Sequence, residues 1–297
     1  MYERVNWQNS PSTATPVSAD NLNKMDKGIA DIDSQLADNT QQIMDININI
    51  KSFGAKGDGI TDDSDAIQSA FDSVSKNVGS GRRLLVPKGR YIITRPIVTN
   101  SIRMYGVDEA YFQLDGENAY IKFIPDILST LNEHYELSIN NINFSGINGA
   151  KTGLIIQDGS QFYLEKIFLY NFSECGIEIN SSSIGHIIRP TIQGCSVGIH
   201  MNGMISLGIM HANMYKNNAD FKFTNWNNSI RIYDSWFENS ATSFLFDDTE
   251  NFSSVDTLCV KNSSFVRNDP PGGTLITVNA TGVNRVACSD VSEDRCS

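Results

Sequence analysis

No stretch of the 297-residue sequence approaches the roughly 20 consecutive apolar residues that span a bilayer, which excludes an ordinary membrane helix. Cations are scarce as well. Against 34 Asp and Glu stand 23 Lys and Arg, and the net charge of −11 argues against nucleic acid or an anionic membrane as the main partner. The opening residues, Met1 to Asn9, lack the apolar core of a secretory signal, so Sec-type export is not expected. Cysteine is sparse and odd in number: Cys175, Cys195, Cys259, Cys288 and Cys296 show no metal-ligand spacing and read as free thiols, with Cys288 and Cys296 the one pair worth testing for a bridge. The four histidines (His134, His186, His200, His211) show no metal spacing either, so neither a metal nor a cofactor is expected. What the chain does have is 40% hydrophobic residues, enough for a sizeable core.

The most informative stretch is residues 48–68. A strand with Ile48, Ile50 and Phe53 runs into a loop with Gly54, Gly57 and Gly59, and a helix opens at Thr61 or Asp62. Either residue can cap the first-turn amides, and Asp62, Asp63 and Asp65 favour the positive helix end. Ile67, Ala70, Phe71 and Val74 then form one apolar face. Residues 84–97 follow as strands about a Pro-x-Gly turn. In order and residue type, residues 48–105 resemble the opening segment of the pectate-lyase-like superfamily of right-handed parallel β-helices, in which such a helix plugs the open end of the coil. The resemblance implies a fold and no particular reaction.

The first fifty residues have a different character. Residues 1–17, with Pro11 and Pro16, read as an extended arm. Ser18 caps a helix whose apolar positions Leu22, Met25, Ile29, Ile32, Leu36 and Ile43 alternate by three and four, with Asn39 in the remaining seam position. Residues 18–45 are therefore expected to form a short coiled coil, the polar seam residue setting register. The alternative is a single amphipathic helix. Residues 6–29, around Thr15-Pro16 and Asn21-Leu22-Asn23-Lys24-Met25, resemble the N-terminal attachment segment of tail and baseplate appendages of phages infecting Gram-positive bacteria. That resemblance implies an arm that docks on a phage tail or baseplate protein, a trimerising coil, and hence a homotrimeric tailspike.

Downstream of about residue 135 the chain repeats loosely every 22–28 residues. One series runs through Gly153, Gly176, Gly198, Ala219, Ser243 and Thr274; another through Leu137, Phe162, Ile187, Leu207, Ile230 and Leu258. Short strands at a fixed period are the mark of a β-solenoid, whose rungs bury their inward side chains only by stacking. Asn141, Asn171, Asn217, Asn239 and Asn268 are assigned to turns needing left-handed backbone. The expected organisation is an all-β right-handed parallel β-helix: opening strands and capping helix at 46–105, rungs at 106–278, and a cap or tail at 279–297.

Aligning the rungs gives three outward columns: Asn141, Lys166, Arg189, His211, Asp234, Asn262; Ser145, Tyr170, Gln193, Tyr215, Glu238, Val266; and Ser138, Tyr163, His186, Gly208, Arg231, Cys259. Rings beside carboxylates and arginines suit a saccharide, so Tyr170, His186, Arg189, His211, Tyr215 and Arg231 are candidate substrate-binding residues. Asp234 and Glu238 are the candidate catalytic pair, one donating a proton to the leaving oxygen while the other activates water or attacks carbon. The plainer reading makes both solvated surface carboxylates. Asp247, Asp248 and Glu250 lie in an expected loop and read as an acidic turn, with cation binding the alternative. Gly185-His186-Ile187 and Arg231-Ile232-Tyr233 echo parts of the polygalacturonase motifs, but no upstream aspartate pair accompanies them. A lyase would instead lean on Arg189 or Arg231.

Together these readings expect a virion protein, assembled in the host bacterial cytoplasm, that recognises a bacterial surface polysaccharide and, if an enzyme, depolymerises it. A non-catalytic adhesin is the alternative. A bacterial pectinolytic enzyme is disfavoured by the missing signal and by residues 6–29.

Overall fold

The computed structural model describes residues 19–75, 83–100, 102–124, 136–158, 161–182, 184–247, 254–266, 274–279, 286–288 and 291–294. The expected arm at 1–17, the Ser18 cap, and His134, Asp248, Glu250, Asn268 and Cys296 lie outside them. The chain divides into two compact units, Met1–Asn47 and Ile48–Ser297.

The first unit holds a 28-residue helix, α1 (Ala19–Ile46). Its stripe residues Leu22, Ile29, Ile32 and Leu36 are exposed by 48%, 56%, 54% and 63%. The spacing of three and four puts them on one side, as the sequence predicts.

The second unit is a parallel β-helix. Each complete turn of chain contributes one strand to each of three sheets, here A, B and C, of ten, ten and eight strands, the first and last turns contributing to A and B. One turn runs Gln161–Glu165 in sheet A, Phe168–Tyr170 in sheet B and Cys175–Asn180 in sheet C. The next turn begins at Ile184 and pairs in parallel beneath it, Tyr163 opposite His186 and Leu169 opposite Ile192. Alternation decides which side chains enter the core: Phe162 and Leu164 are buried while Gln161 and Tyr163 are exposed. Stacking then places like on like. Phe221 lies on Phe244 at 5.5 Å, Phe223 on Phe246 at 4.8 Å and Phe237 on Phe265 at 4.5 Å, each pair nearly coplanar.

Left-handed residues make the corners. Asn141, Lys166, Arg189, His211, Asp234 and Asn262 follow successive sheet A strands with φ between 50° and 57°. Each carries the ladder round the bend, as when the Arg189 N–H donates to Met210 O at 2.8 Å and the His211 N–H to Tyr233 O at 3.0 Å. This conformation costs a residue with a Cβ about 1–2 kcal/mol, offset by the hydrogen bond that the bend preserves. Asn171 and Asn239 turn the corner after sheet B in the same way, but Asn217 does not: Lys216 takes the left-handed position and Asn217 is buried. Its amide is worth more inside, where it hydrogen-bonds the backbone of the neighbouring rung.

The opening segment departs from expectation in detail. After a short strand at Asn47–Asn49, Ile50–Phe53 is a 3-10 turn closed by Gly54 in the left-handed region. Thr61 and Asp62 end a strand, Asp58–Asp62, and the helix α2 begins at Ser64 and runs to Ser75. The reason is local: the Asp58 carboxylate accepts the Ile60 and Thr61 N–H groups, holding its own pKa down to about 2, and the Asp63 N–H pairs with Ile92 O. Asp62 still serves the helix, accepting the Ser64 N–H at 3.0 Å. Buried Asp63 accepts the Lys56 and Gly57 N–H groups. Gly57, at φ 63°, is required there because a Cβ would stand 2.6 Å from the Tyr91 ring. Ile67, Ala70, Phe71 and Val74 are buried as predicted. At the other end, Val286–Cys288 and Val291–Asp294 pair onto sheets A and B, so the rungs continue beyond residue 278.

Candidate functional site

The strand register reproduces two of the three columns and the third falls on the corner between them, while Ser145 and Val266, at the ends of the second column, are buried rather than outward. Ser138, Tyr163, His186, Gly208, Arg231 and Cys259 are successive partners along the middle of sheet A. Ser145, Tyr170, Gln193, Tyr215, Glu238 and Val266 are partners along the far edge of sheet B. Between them runs the left-handed corner that holds Arg189, His211 and Asp234.

The candidates therefore sit on three parallel lines. His186 and Arg231 are exposed on sheet A; Arg189, His211 and Asp234 are exposed on the corner; Tyr170, Tyr215 and Glu238 are half-buried on sheet B. Asp234 lies on the corner two residues before the strand Trp236–Glu238, which Glu238 ends, with exposed Trp236 between them. Glu238 accepts the Trp236 indole N–H at 3.1 Å and the Asn239 amide at 3.4 Å. Its register neighbour Tyr215 carries the Lys216 ammonium 4.9 Å over its ring.

A hollow lies on the outer face of sheet A. It encloses about 860 Å³ and is lined by Arg83, Arg103, Tyr105, Asn140, Tyr163 and His186 among others. Of the sequence candidates it takes in His186 alone. Asn140 donates to Glu165 Oε2 at 2.8 Å, and the Tyr163 hydroxyl donates to the same oxygen at 3.2 Å. Burial and the Glu165 carboxylate push the Tyr163 phenol above its ordinary pKa, the Arg189 guanidinium acting the other way. Tyr163 thus stays a neutral donor at physiological pH. Arg83, Arg103 and Tyr105 were missed because they belong to the opening strands. Extending the column alignment back through Arg83–Val86 and Ile102–Gly106 would have found them, since Leu85 pairs with Tyr105, and Arg103 with Ser138.

Elsewhere, Asp247 belongs to an ion pair: Lys222 Nζ lies 2.8 Å from its carboxylate. Neighbouring His200 shares Nε2 with the Thr224 hydroxyl at 2.8 Å, and burial lowers its pKa, the Glu178 carboxylate opposing and Lys222 adding to it. Cys175 and Cys195 are buried free thiols, their pKa values raised by burial. Among the described residues no cluster of His, Cys, Asp or Glu has the geometry of a metal site, and no helix is long and apolar enough to cross a membrane.

Three stacked parallel sheets, a helix in the opening segment and a hollowed outer face define a parallel β-helix protein. Residues 47–124 match the family described as rhamnogalacturonase A/epimerase, pectate lyase-like. The chain is 50% identical over 46 residues to alginate lyase 7 of Azotobacter vinelandii, a stretch that covers 16% of this chain and 5% of that protein. It is 33% identical over 88 residues to plasmin and fibronectin-binding protein A of Streptococcus pneumoniae, covering 30% of this chain and 12% of the relative. The chain thus matches a small part of the length of these relatives. Among solved structures it resembles Geobacillus virus E2 ORF18, with a TM-score of 0.50 and 17% identity over 90% of this chain and 64% of that one. This last likeness is one of fold.

Proposed function

We propose that this chain is a phage tail appendage, a tailspike or receptor-binding protein, whose right-handed β-helix engages a polysaccharide of the bacterial envelope. The observation that carries the reading is the sheet A groove, where guanidinium, phenol, imidazole and amide groups converge on one hollow of about 860 Å³. Rings offer faces on which a sugar stacks, and the polar groups fix its hydroxyls. The pectate-lyase-like match of the opening segment and the fold likeness to a viral protein support the setting. So does α1, whose apolar stripe is open to solvent in a single chain; two further copies would bury it in a trimeric coil. The arm at 1–17 would then fix the trimer to a tail or baseplate protein.

Cleavage is a second reading. It is favoured by the register that sets the Tyr215 ring beside the Glu238 carboxylate, with Tyr170 two rungs away on the same line. In it Asp234 and Glu238 act as acid and base or nucleophile on a glycosidic bond, and Arg189, His211 and Arg231 hold the flanking sugars. The test is purified protein against surface polysaccharides of Gram-positive hosts, read for binding and for new reducing ends. Binding alone identifies an adhesin and binding with product a depolymerase, whereas the absence of both would leave the proposed function without support.

A further inference from the structure

A second hollow, of about 460 Å³, opens at the corner where sheet C hands over to sheet A, and it shares no lining residue with the sheet A groove. The strands Cys175–Asn180, Val197–Asn202 and Ala219–Thr224 are followed there by left-handed Ser181, Gly203 and Asn225. Gly203, without a side chain, leaves the gap between its two neighbours. Along this corner runs a polarised file of amides. Asn180 donates to Glu178 Oε1 at 2.9 Å, Asn202 donates to Asn180 Oδ1 at 2.9 Å, and Asn225 donates to Asn202 Oδ1. Each bond strengthens the next, and the file ends on exposed Asn225. Beside it stand two apolar side chains open to solvent, Trp226 at 47% and Ile205 at 46%. Ser182 lines the same hollow; it is wholly buried, and its hydroxyl has no hydrogen-bond partner among the described residues. In a protein of net charge −11, no described residue lining this hollow is ionisable.

An indole face beside amides and a hydroxyl, with no charge to meet, suits an uncharged sugar. We propose that this corner is a second saccharide site, which takes a neutral N-acetylhexosamine unit. The sugar face packs on Trp226, the acetamide N–H and C=O pair with the Asn202 and Asn225 amides, and the acetamide methyl lies on Ile205. A sugar hydroxyl supplies the partner that Ser182 Oγ lacks; a buried hydroxyl without one is costly, and binding relieves that cost. A plain hexose would set a hydroxyl against Ile205 and leave it unpaired. The ligand class rests on the saccharide-binding reading of the chain, but the residues stand apart from the groove that carries that reading, so the two can fail separately.

The test is titration of the full chain with N-acetylglucosamine, N-acetylgalactosamine and glucose, followed by ligand-observed NMR. At least one N-acetyl sugar should bind, about tenfold more tightly than glucose or better, since glucose forgoes the acetamide hydrogen bonds. Trp226→Ala should weaken that binding about tenfold by removing the stacking face. Ser182→Ala should weaken it about tenfold as well, yet melt at the parent's temperature or above, because the hydroxyl it removes has no partner in the free protein. Glucose bound as well as the N-acetyl sugars, or unchanged affinity in either variant, overturns the proposal. So does a Trp226→Ala protein that sediments at a lower mass than the parent, which would make the hollow a contact between copies. No binding of any of the three sugars overturns it too; the proposed function falls with it only if the surface polysaccharides also fail to bind.

Discussion

The side-chain amide of Asn217 donates to the Asp220 carboxylate at 3.0 Å inside the solenoid, where both residues are almost wholly buried. Ser240 Oγ donates to the same carboxylate oxygen at 2.6 Å and accepts the Asn217 backbone N–H at 3.1 Å, while Asn217 Oδ1 takes the Cys195 N–H at 3.0 Å. Three successive rungs are thus tied together between sheets B and C by a buried polar cluster. Asn217→Ala leaves buried groups unmatched and should cost about 1–3 kcal/mol in urea unfolding. Unchanged stability would show that this network contributes nothing net.

Alpha-helical association is tested at the apolar stripe. Full-length protein should sediment near three times 32.9 kDa. The pair Ile29→Asp, Ile32→Asp should shift it to a monomer, because two charges in each chain's seam cannot be buried without partners. A parent protein that already sediments as a monomer removes the coil.

For the carboxylate pair, Asp234→Asn and Glu238→Gln should each lower the release of reducing ends about a hundredfold or more if these residues transfer protons. Melting temperature should hold, since Asp234 is exposed and glutamine keeps an acceptor for the Trp236 indole. A variant that melts lower and binds less in proportion would mark the pair as structural.

His200 gives a pH prediction. Burial lowers its folded pKa below the ordinary value of 6.5, so the unfolded chain takes up the proton first as pH falls. Its contribution to stability is complete above pH 6.5 and is lost as pH drops from there towards the folded value, at up to about 1.4 kcal/mol per pH unit. Thermal melts at pH 7.5 and 5.5 should differ by less in His200→Gln than in the parent. An identical difference in both would assign the acid sensitivity to other groups.

The amino-acid sequence by itself determined the winding of this protein. Alternation of apolar and polar residues is a local property, and so is the return of a turn residue every rung; together they gave the strands, the helix after Gly59 and the register that pairs Tyr163 with His186. Sequence periodicity also marked the stripe Leu22, Ile29, Ile32 and Leu36. Other features were settled by the tertiary structure. The column of Arg189, His211 and Asp234 read as outward, and these exposed residues also hold the left-handed corner, because a bend in the backbone ladder depends on what pairs beneath it. Asn217 read as a turn residue and became a buried clamp, since only the neighbouring rungs supply Asp220 and Ser240. The groove joins Arg83 and Arg103 to His186 across about a hundred residues of chain, and only the lateral stacking of successive turns brings them to one face.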